Sequence, residues 1–271
     1  MKVACIQPSI HEEIGDCYKE VEKLLKVLVD KYGNCDIACL PERWIPFYKE
    51  IEKNFQSERG ENYQFIEKIA RKYKVAILSG AIWEKRKNEK KPYITCYYFN
   101  NEGEEVGRQD KIHLYTYEKK YFTPSKTLNL FKWNEKIFSI LICFDVAFYE
   151  TPRLSAENGA EILFSPTQIR SDGMDNWKIY LQSRALENRI PIVACNTVGK
   201  IGNRKFVGNS QIISFIDTGQ ITPSKLKIVE GPLNKSGHIY SDLNIEFPRK
   251  MREIRLREKI EKQSIKITKN F

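Results

Sequence analysis

No apolar run in the chain approaches the roughly 20 residues that a bilayer-crossing helix needs, so a membrane protein is not expected. The first ten residues, MKVACIQPSI, pass from an apolar strand-like segment straight into polar chain. That pattern is neither a signal nor a transit peptide, and a cytoplasmic location is expected. Histidine is scarce, with only His11, His113 and His238, far apart. Cys35 and Cys39 have no second cysteine pair to complete a zinc site, so no metal is expected. A Gly-rich phosphate loop is missing too, because Gly199-Lys200-Ile201-Gly202 lacks the strand–loop–helix setting that cradles phosphate. There is no Gly/Ser/Pro linker, internal repeat or low-complexity block. One domain is expected over residues 1–247, followed by a basic extension over 248–271.

Cysteine itself is not scarce. The seven cysteines, at 5, 17, 35, 39, 96, 143 and 195, are odd in number and scattered in spacing. Cys5, Cys39, Cys143 and Cys195 sit in or beside apolar runs, where a reduced thiol packs as a small hydrophobe. This favours a reducing compartment over a disulfide framework. The formal charge of +10 invites a polyanion partner. However, Arg249 to Phe271 hold nine Lys or Arg against three Glu, so the extension carries six of the ten net charges. A solvated tail or subunit contact is expected, and nucleic-acid binding is not.

Short apolar runs alternate with longer amphipathic ones. Strands are expected at Val3–Gln7, Ile37–Leu40, Val75–Ile82, Tyr93–Asn100, Phe138–Cys143, Glu161–Ser165, Ile192–Asn196 and Ser210–Phe215. Helices fit Glu12–Lys31, Glu61–Lys74, Glu150–Asn158 and Asp175–Asn188, the last closed by Pro191. Glu84–Lys91 reads as a charged turn, and Asn100-Asn101-Glu102-Gly103 as a hairpin. The alternation implies a mixed α/β domain of layered sheets and helices.

Three segments each carry a reactive side chain at the end of an apolar or hairpin segment. They are Asp36-Ile-Ala-Cys-Leu-Pro-Glu42, Gly107-Arg-Gln-Asp-Lys111-Ile-His-Leu and Ile140-Leu-Ile-Cys143-Phe-Asp145. Strand ends in α/β proteins line ligand crevices. Singly, Cys143 or Cys195 would be a packed core thiol, Glu42 a surface acid and Lys111 a solvated lysine. Asp145 alone would cap a helix or hold a turn. Together they offer a thiol, a carboxylate and an ammonium. A neighbouring ammonium stabilises thiolate, and a carboxylate can accept the thiol proton.

In this order, and with the flanks Cys143-Phe-Asp-Val-Ala-Phe-Tyr-Glu-Thr-Pro-Arg, Gly159-Ala-Glu-Ile-Leu-Phe-Ser-Pro-Thr167, Ser183-Arg-Ala-Leu-Glu-Asn188 and Gly208-Asn-Ser-Gln-Ile-Ile213, the chain resembles the nitrilase (carbon–nitrogen hydrolase) superfamily. The resemblance covers most of residues 1–245. It implies a four-layer α-β-β-α sandwich that pairs into homodimers or larger homo-oligomers. It also implies Glu42 as general base, Lys111 as cationic stabiliser, Cys143 as nucleophile and Glu118 as a second, positioning glutamate. The backbone N–H of Phe144 would complete the oxyanion pocket, and no cofactor is required. Tyr115, Phe148, Gln168 and Arg170 fall near the substrate by motif position, as do Arg43 and Trp44; Arg43 or Arg170 could pair with a substrate carboxylate.

Cys-Phe-Asp is similar to the amidase-like branches, whereas nitrile-cleaving relatives more often carry Cys-Trp-Glu. The expected reaction is hydrolysis of a small amide or carbamoyl amine to acid plus ammonia. The alternatives are nitrile hydrolysis at the same site, or a catalytically silent small-molecule or protein binder. Tyr149 stands where the family commonly has proline, and Ser214-Phe-Ile-Asp217-Thr-Gly219 lacks the usual proline. In the extension, Ile265 and Ile267 alternate as strand addition to a neighbouring subunit would require.

Overall fold

Residues 2–7 explain why a strand here is apolar on both sides. Val3 and Cys5 pack into one hydrophobic cluster, and Ala4 and Ile6 into another. Successive side chains on a strand point to opposite faces, so this strand is covered from both. Ile37 and Cys39 against Ala38 and Leu40 repeat the pattern. The computed structural model describes residues 1–219 and 224–269, and it builds these segments into two stacked sheets.

The first sheet orders its strands Gly237–Asp242, Lys2–Gln7, Ile37–Cys39, Ala76–Leu78, Tyr93–Phe99, Ile82–Lys85 and Gln56–Ser57, with Glu105–Asp110 also paired to Tyr93–Phe99. The second runs Lys225–Glu230, Gln211–Ile216, Ile192–Asn196, Ile162–Thr167, Lys136–Ile140 and Leu130–Trp133. The middle cluster lies between them and includes Val3, Cys5, Ile37, Cys39, Ile140, Phe164 and Cys195.

Helices form the outer layers. Helix α1 (Ile14–Tyr32) buries Cys17, Val21, Leu25 and Leu28, spaced as one helical face, and stops at Gly33, whose φ is +73°. Helix α2 (Glu61–Tyr73) adds Ile66, Ile69 and Ala70 over the same sheet. After the single-turn helix α3 (Glu118–Tyr121), α4 (Glu150–Glu157) and α5 (Met174–Asn188) cover the second sheet through Ala156, Trp177, Leu181 and Ala185. The architecture is the four-layer α-β-β-α sandwich. Helix α6 (Glu246–Glu258) carries the chain into the basic extension. It buries Pro248, Met251 and Arg252, and Met251 joins the α4–α5 core. Ile260, Ile265 and Ile267 beyond it are exposed, and the last two residues of the extension, Asn270 and Phe271, lie outside the described residues.

Three expectations need correction. The run Val75–Ile82 is two strands, Ala76–Leu78 and Ile82–Lys85, broken at Gly80 with φ +70°. The strand at Phe138–Cys143 ends at Ile140, and the chain turns before the cysteine. Glu84–Lys91 is not wholly a turn: Glu84 is a buried strand residue bonded by Tyr97 Oη at 2.7 Å and by Arg86 Nε at 2.8 Å. The segment Gly199–Gly202 falls in a hairpin that pairs Val198–Ile201 with Arg204–Val207.

Candidate active site

Glu42 lies just beyond the strand Ile37–Cys39, between the two sheets. Its N–H donates to Thr167 of the second sheet at 3.1 Å, and its carbonyl accepts from Ala81, just before the strand Ile82–Lys85 of the first, at 3.3 Å. The break at Gly80 makes room for this loop. A Cβ at that position would lie 2.2 Å from the Pro41 carbonyl oxygen and 2.9 Å from the Trp44 ring. Only glycine fits there, and the strand is interrupted so that the glutamate can be seated.

Lys111 follows the strand Glu105–Asp110 and is anchored on both sides of its Cα. Its N–H donates to Ile94 at 2.8 Å, and its carbonyl accepts from Ser125 at 2.9 Å. The side chain is 1% exposed. Its ammonium sits between two carboxylates, 2.7 Å from Glu42 Oε1 and 2.9 Å from Glu118 Oε1. Glu118 opens α3, and its other oxygen accepts from the Tyr115 N–H at 2.7 Å. Burial alone would discharge Lys111, but Glu42 and Glu118, with Cys143, outweigh it and hold the ammonium well above the usual lysine range. Burial pushes Glu118 up; Lys111 opposes and Glu42 adds to the rise, leaving the carboxyl above its ordinary value.

Cys143 begins a short 3₁₀ turn, Cys143–Ala147, with φ +48°. A left-handed backbone costs an L-residue about 1–2 kcal/mol, so the surroundings must hold it. It is half-buried, whereas the other six cysteines are fully buried and all seven are free. Burial and then the Glu42 charge push its thiol well above the usual range, against the pull of Lys111 and a backbone hydrogen bond from Gln168. Glu42 is the first charge acting on the sulfur, ahead of Lys111. This differs from a simple ammonium–thiolate pair because two acids, not one, share the lysine.

The turn is braced from behind. Arg184 on α5 donates to the carbonyls of Val146 and Ala147 at 3.0 and 2.9 Å. Asp145 is fully buried and accepts from the Ile142 N–H at 2.9 Å and the His113 N–H at 2.6 Å. The Ser183–Asn188 segment is distinctive in sequence, but nothing there reveals that Arg184 reaches back to the turn.

Among the other expected residues, Tyr115 sets its ring edge-on to Phe144 at 5.1 Å, and Phe144 meets Phe148 edge-on at 5.0 Å. A cavity of about 450 Å³ beside the turn is lined by Phe144, Phe148, His113, Leu114, Phe122 and two lysines, Lys91 and Lys119, among others. Gln168 reaches Cys143 through its backbone. Arg170 is exposed and pairs with Asp172 at 3.1 Å. Arg43 is buried, bonded to the Pro46 carbonyl and Asn54 Oδ1, and stacked over Trp83 and Phe47 at 4.6 and 5.0 Å. Its guanidinium thus holds the loop after Glu42. Trp44 turns into the α1–α2 core and donates to the Ser79 carbonyl at 2.8 Å. Among the described residues, no group of three His, Cys, Asp or Glu is placed to hold a metal ion, and no helix is long and apolar enough to cross a membrane.

Residues 2–222 match the family model of carbon–nitrogen hydrolases. The chain belongs to that family. It is 31% identical over 175 residues to a probable nitrilase of Schizosaccharomyces pombe, covering 65% of this chain and 64% of that protein, just under two-thirds of its length. It is 28% identical over 215 residues to a 2-oxoglutaramate amidase of Bacillus subtilis, covering 78% of this chain and 82% of that one. Among solved structures, Saccharomyces cerevisiae Nit3, a nitrilase-superfamily member, superposes with a TM-score of 0.82 at 21% identity over 98% of this chain and 97% of that one. A carbon–nitrogen hydrolase of Helicobacter pylori gives 0.83 at 20% identity over 96% and 94%. The fold is that of the nitrilase superfamily, and the chain is a hydrolase type acting on carbon–nitrogen bonds other than peptide bonds.

Proposed function

We propose that this carbon–nitrogen hydrolase cleaves a small amide or carbamoyl amine to acid plus ammonia through a thioester on Cys143. The observation that carries the reading is the Lys111 ammonium clamped between Glu42 and Glu118 beside a half-buried thiol. Relatives named 2-oxoglutaramate amidase, omega-amidase and deaminated glutathione amidase support a small amide as substrate class. A mutant of an amidase of Nesterenkonia, similar in fold, shows Michael addition of acrylamide at its active-site cysteine.

The geometry supports the following steps. Glu42 accepts the thiol proton as sulfur attacks the carbonyl carbon. The negative charge that develops on oxygen is met by the Lys111 ammonium and the Phe144 N–H, which bind the transition state more strongly than the neutral amide. The C–N bond then breaks, and nitrogen leaves as ammonia carrying the proton from Glu42. Water gives a proton to the same carboxylate, attacks the thioester and breaks the C–S bond; sulfur regains its proton. Glu118 keeps Lys111 aimed while Glu42 exchanges protons. Tyr115, Phe148, Gln168 and Arg170 are proposed to border the substrate.

Free, reduced cysteines fit a cytoplasmic location. The basic extension is proposed as a contact between copies in a homodimer or larger assembly, since Ile260, Ile265 and Ile267 are exposed. Ammonia release screened across amides, carbamoyl amines and nitriles tests the reading. Cys143→Ala is expected to abolish turnover on the active class, and Cys195→Ala to leave kcat unchanged. Near-normal turnover by folded Cys143→Ala sinks the mechanism.

A further inference from the structure

Asp145 lies two residues after the proposed nucleophile, and a local turn or capping role is all that its sequence position suggests. In the structure it spans two motifs that are distant in sequence. One carboxylate oxygen faces its own turn and accepts from the Ile142 N–H at 2.9 Å. The other faces the segment after Lys111, taking the His113 N–H at 2.6 Å and lying 3.0 Å from His113 Nδ1. The Ile112 N–H is 3.5 Å from the first oxygen. Among the described residues, no lysine or arginine forms an ion pair with this fully buried acid; the His113 imidazole is the side chain that meets it. A buried carboxylate persists only when hydrogen bonds replace its water, and here those bonds join the cysteine turn to the lysine segment.

The join reaches the reacting groups on both sides. His113 stacks flat on Phe148, with ring centroids 4.0 Å apart and planes 15° off parallel. Phe148 meets Phe144 edge-on, and Phe144 supplies the backbone N–H assigned to the oxyanion. On the other side, His113 is two residues beyond Lys111. Arg184 and Thr151 also brace the turn, Thr151 by donating to the Asp145 carbonyl at 2.7 Å. Neither of those contacts extends to the lysine segment.

We propose that Asp145, acting through His113, is a positioning residue that fixes the Phe144 N–H and the Lys111 ammonium relative to each other. It touches no reacting atom. The inference rests on the proposed roles of Cys143 and Lys111. All the groups around the carboxylate are backbone N–H donors or an imidazole nitrogen, so an asparagine of the same size presents an NH₂ group to one set of donors and parts the two segments. Because a misplacement of about 1 Å costs on the order of 10²-fold in rate, the loss belongs to kcat.

Asp145→Asn, His113→Phe and the double variant are to be compared with the unaltered enzyme by ammonia release, each at a temperature where near-UV circular dichroism shows it folded. Expected are a kcat loss of roughly 10–100-fold for Asp145→Asn, a KM within about threefold, and no further loss on adding His113→Phe, since coupled residues act as one unit. A folded Asp145→Asn with kcat within twofold of the unaltered enzyme overturns the proposal. So do losses that multiply in the double variant. If Asp145→Asn does not fold, His113→Phe decides: it keeps the stack on Phe148 and loses the Nδ1 contact. A kcat loss of fivefold or more at constant KM then supports the proposal, and unchanged kcat overturns it. Turnover retained by Cys143→Ala is a separate outcome, and it defeats the functional reading rather than this one.

Discussion

Replacing Gly80 with alanine tests whether the broken strand exists to seat Glu42. The new Cβ would stand 2.2 Å from the Pro41 carbonyl oxygen, so the two must separate by roughly 1 Å to reach ordinary contact. The residue also keeps a φ of +70°, which costs alanine about 1–2 kcal/mol. Overpacking against backbone and the Trp44 ring adds about 1–3 kcal/mol. The total, about 2–5 kcal/mol, corresponds to a fall in Tm of roughly 5–15 °C for a chain of this size. Pro41 is bonded directly to Glu42, so the displacement passes to the proposed base, and a shift of about 1 Å lowers kcat/KM on the order of 10²-fold. Gly33→Ala is the control: its φ is +73°, but nothing lies within 4 Å of the added Cβ. It is expected to lose only the backbone cost and to keep full activity. Differential scanning calorimetry with ammonia-release kinetics reads both effects. A Gly80→Ala protein with the Tm and kcat/KM of Gly33→Ala refutes the argument.

Two more outcomes follow from the site and the extension. Burial holds the Glu118 carboxyl above its ordinary value; protonation removes one partner of Lys111, so kcat is expected to fall on the acid side, at a pH above the ordinary carboxylate range. Glu118→Gln lowers kcat and removes that acid limb, and an acid limb left in place by the substitution contradicts the assignment. Deleting residues 260–271 leaves α6 packed through Met251 and Arg252; sedimentation equilibrium is then expected to show a smaller assembly, and an unchanged one counts against the subunit-contact role.

What the sequence discloses is what repeats or alternates. The strand at Ile192–Asn196 and the helix starting at Glu61 coincide with expectation because alternation, helical spacing and the closing proline act locally. The motifs bring Glu42, Lys111, Glu118 and Cys143 to attention, and the fold gathers them at one point. Contacts that depend on distant chain are not legible. The apolar run through Gly80 gives no sign of Pro41 approaching it. Glu84 and Arg86 look like a solvated turn until Asp110, from a strand later in the chain, meets Arg86 Nη1 at 2.8 Å. Helix α6 looks like a charged tail because Pro248, Met251 and Arg252 alone are buried in it. Asp145 shows only its neighbours in sequence, not the lysine segment it grips.

The shared lysine has a consequence for proton traffic. Two acids share one ammonium, and on the proposed reading the thiol proton is the one that travels. On the proposed mechanism that proton goes from sulfur to Glu42 to the departing nitrogen, and water returns another by the same route. On that reading the proton that leaves with nitrogen is replaced in each cycle by one from the water consumed. Turnover then needs no proton carrier from solution, and at fixed pH its rate is independent of buffer concentration.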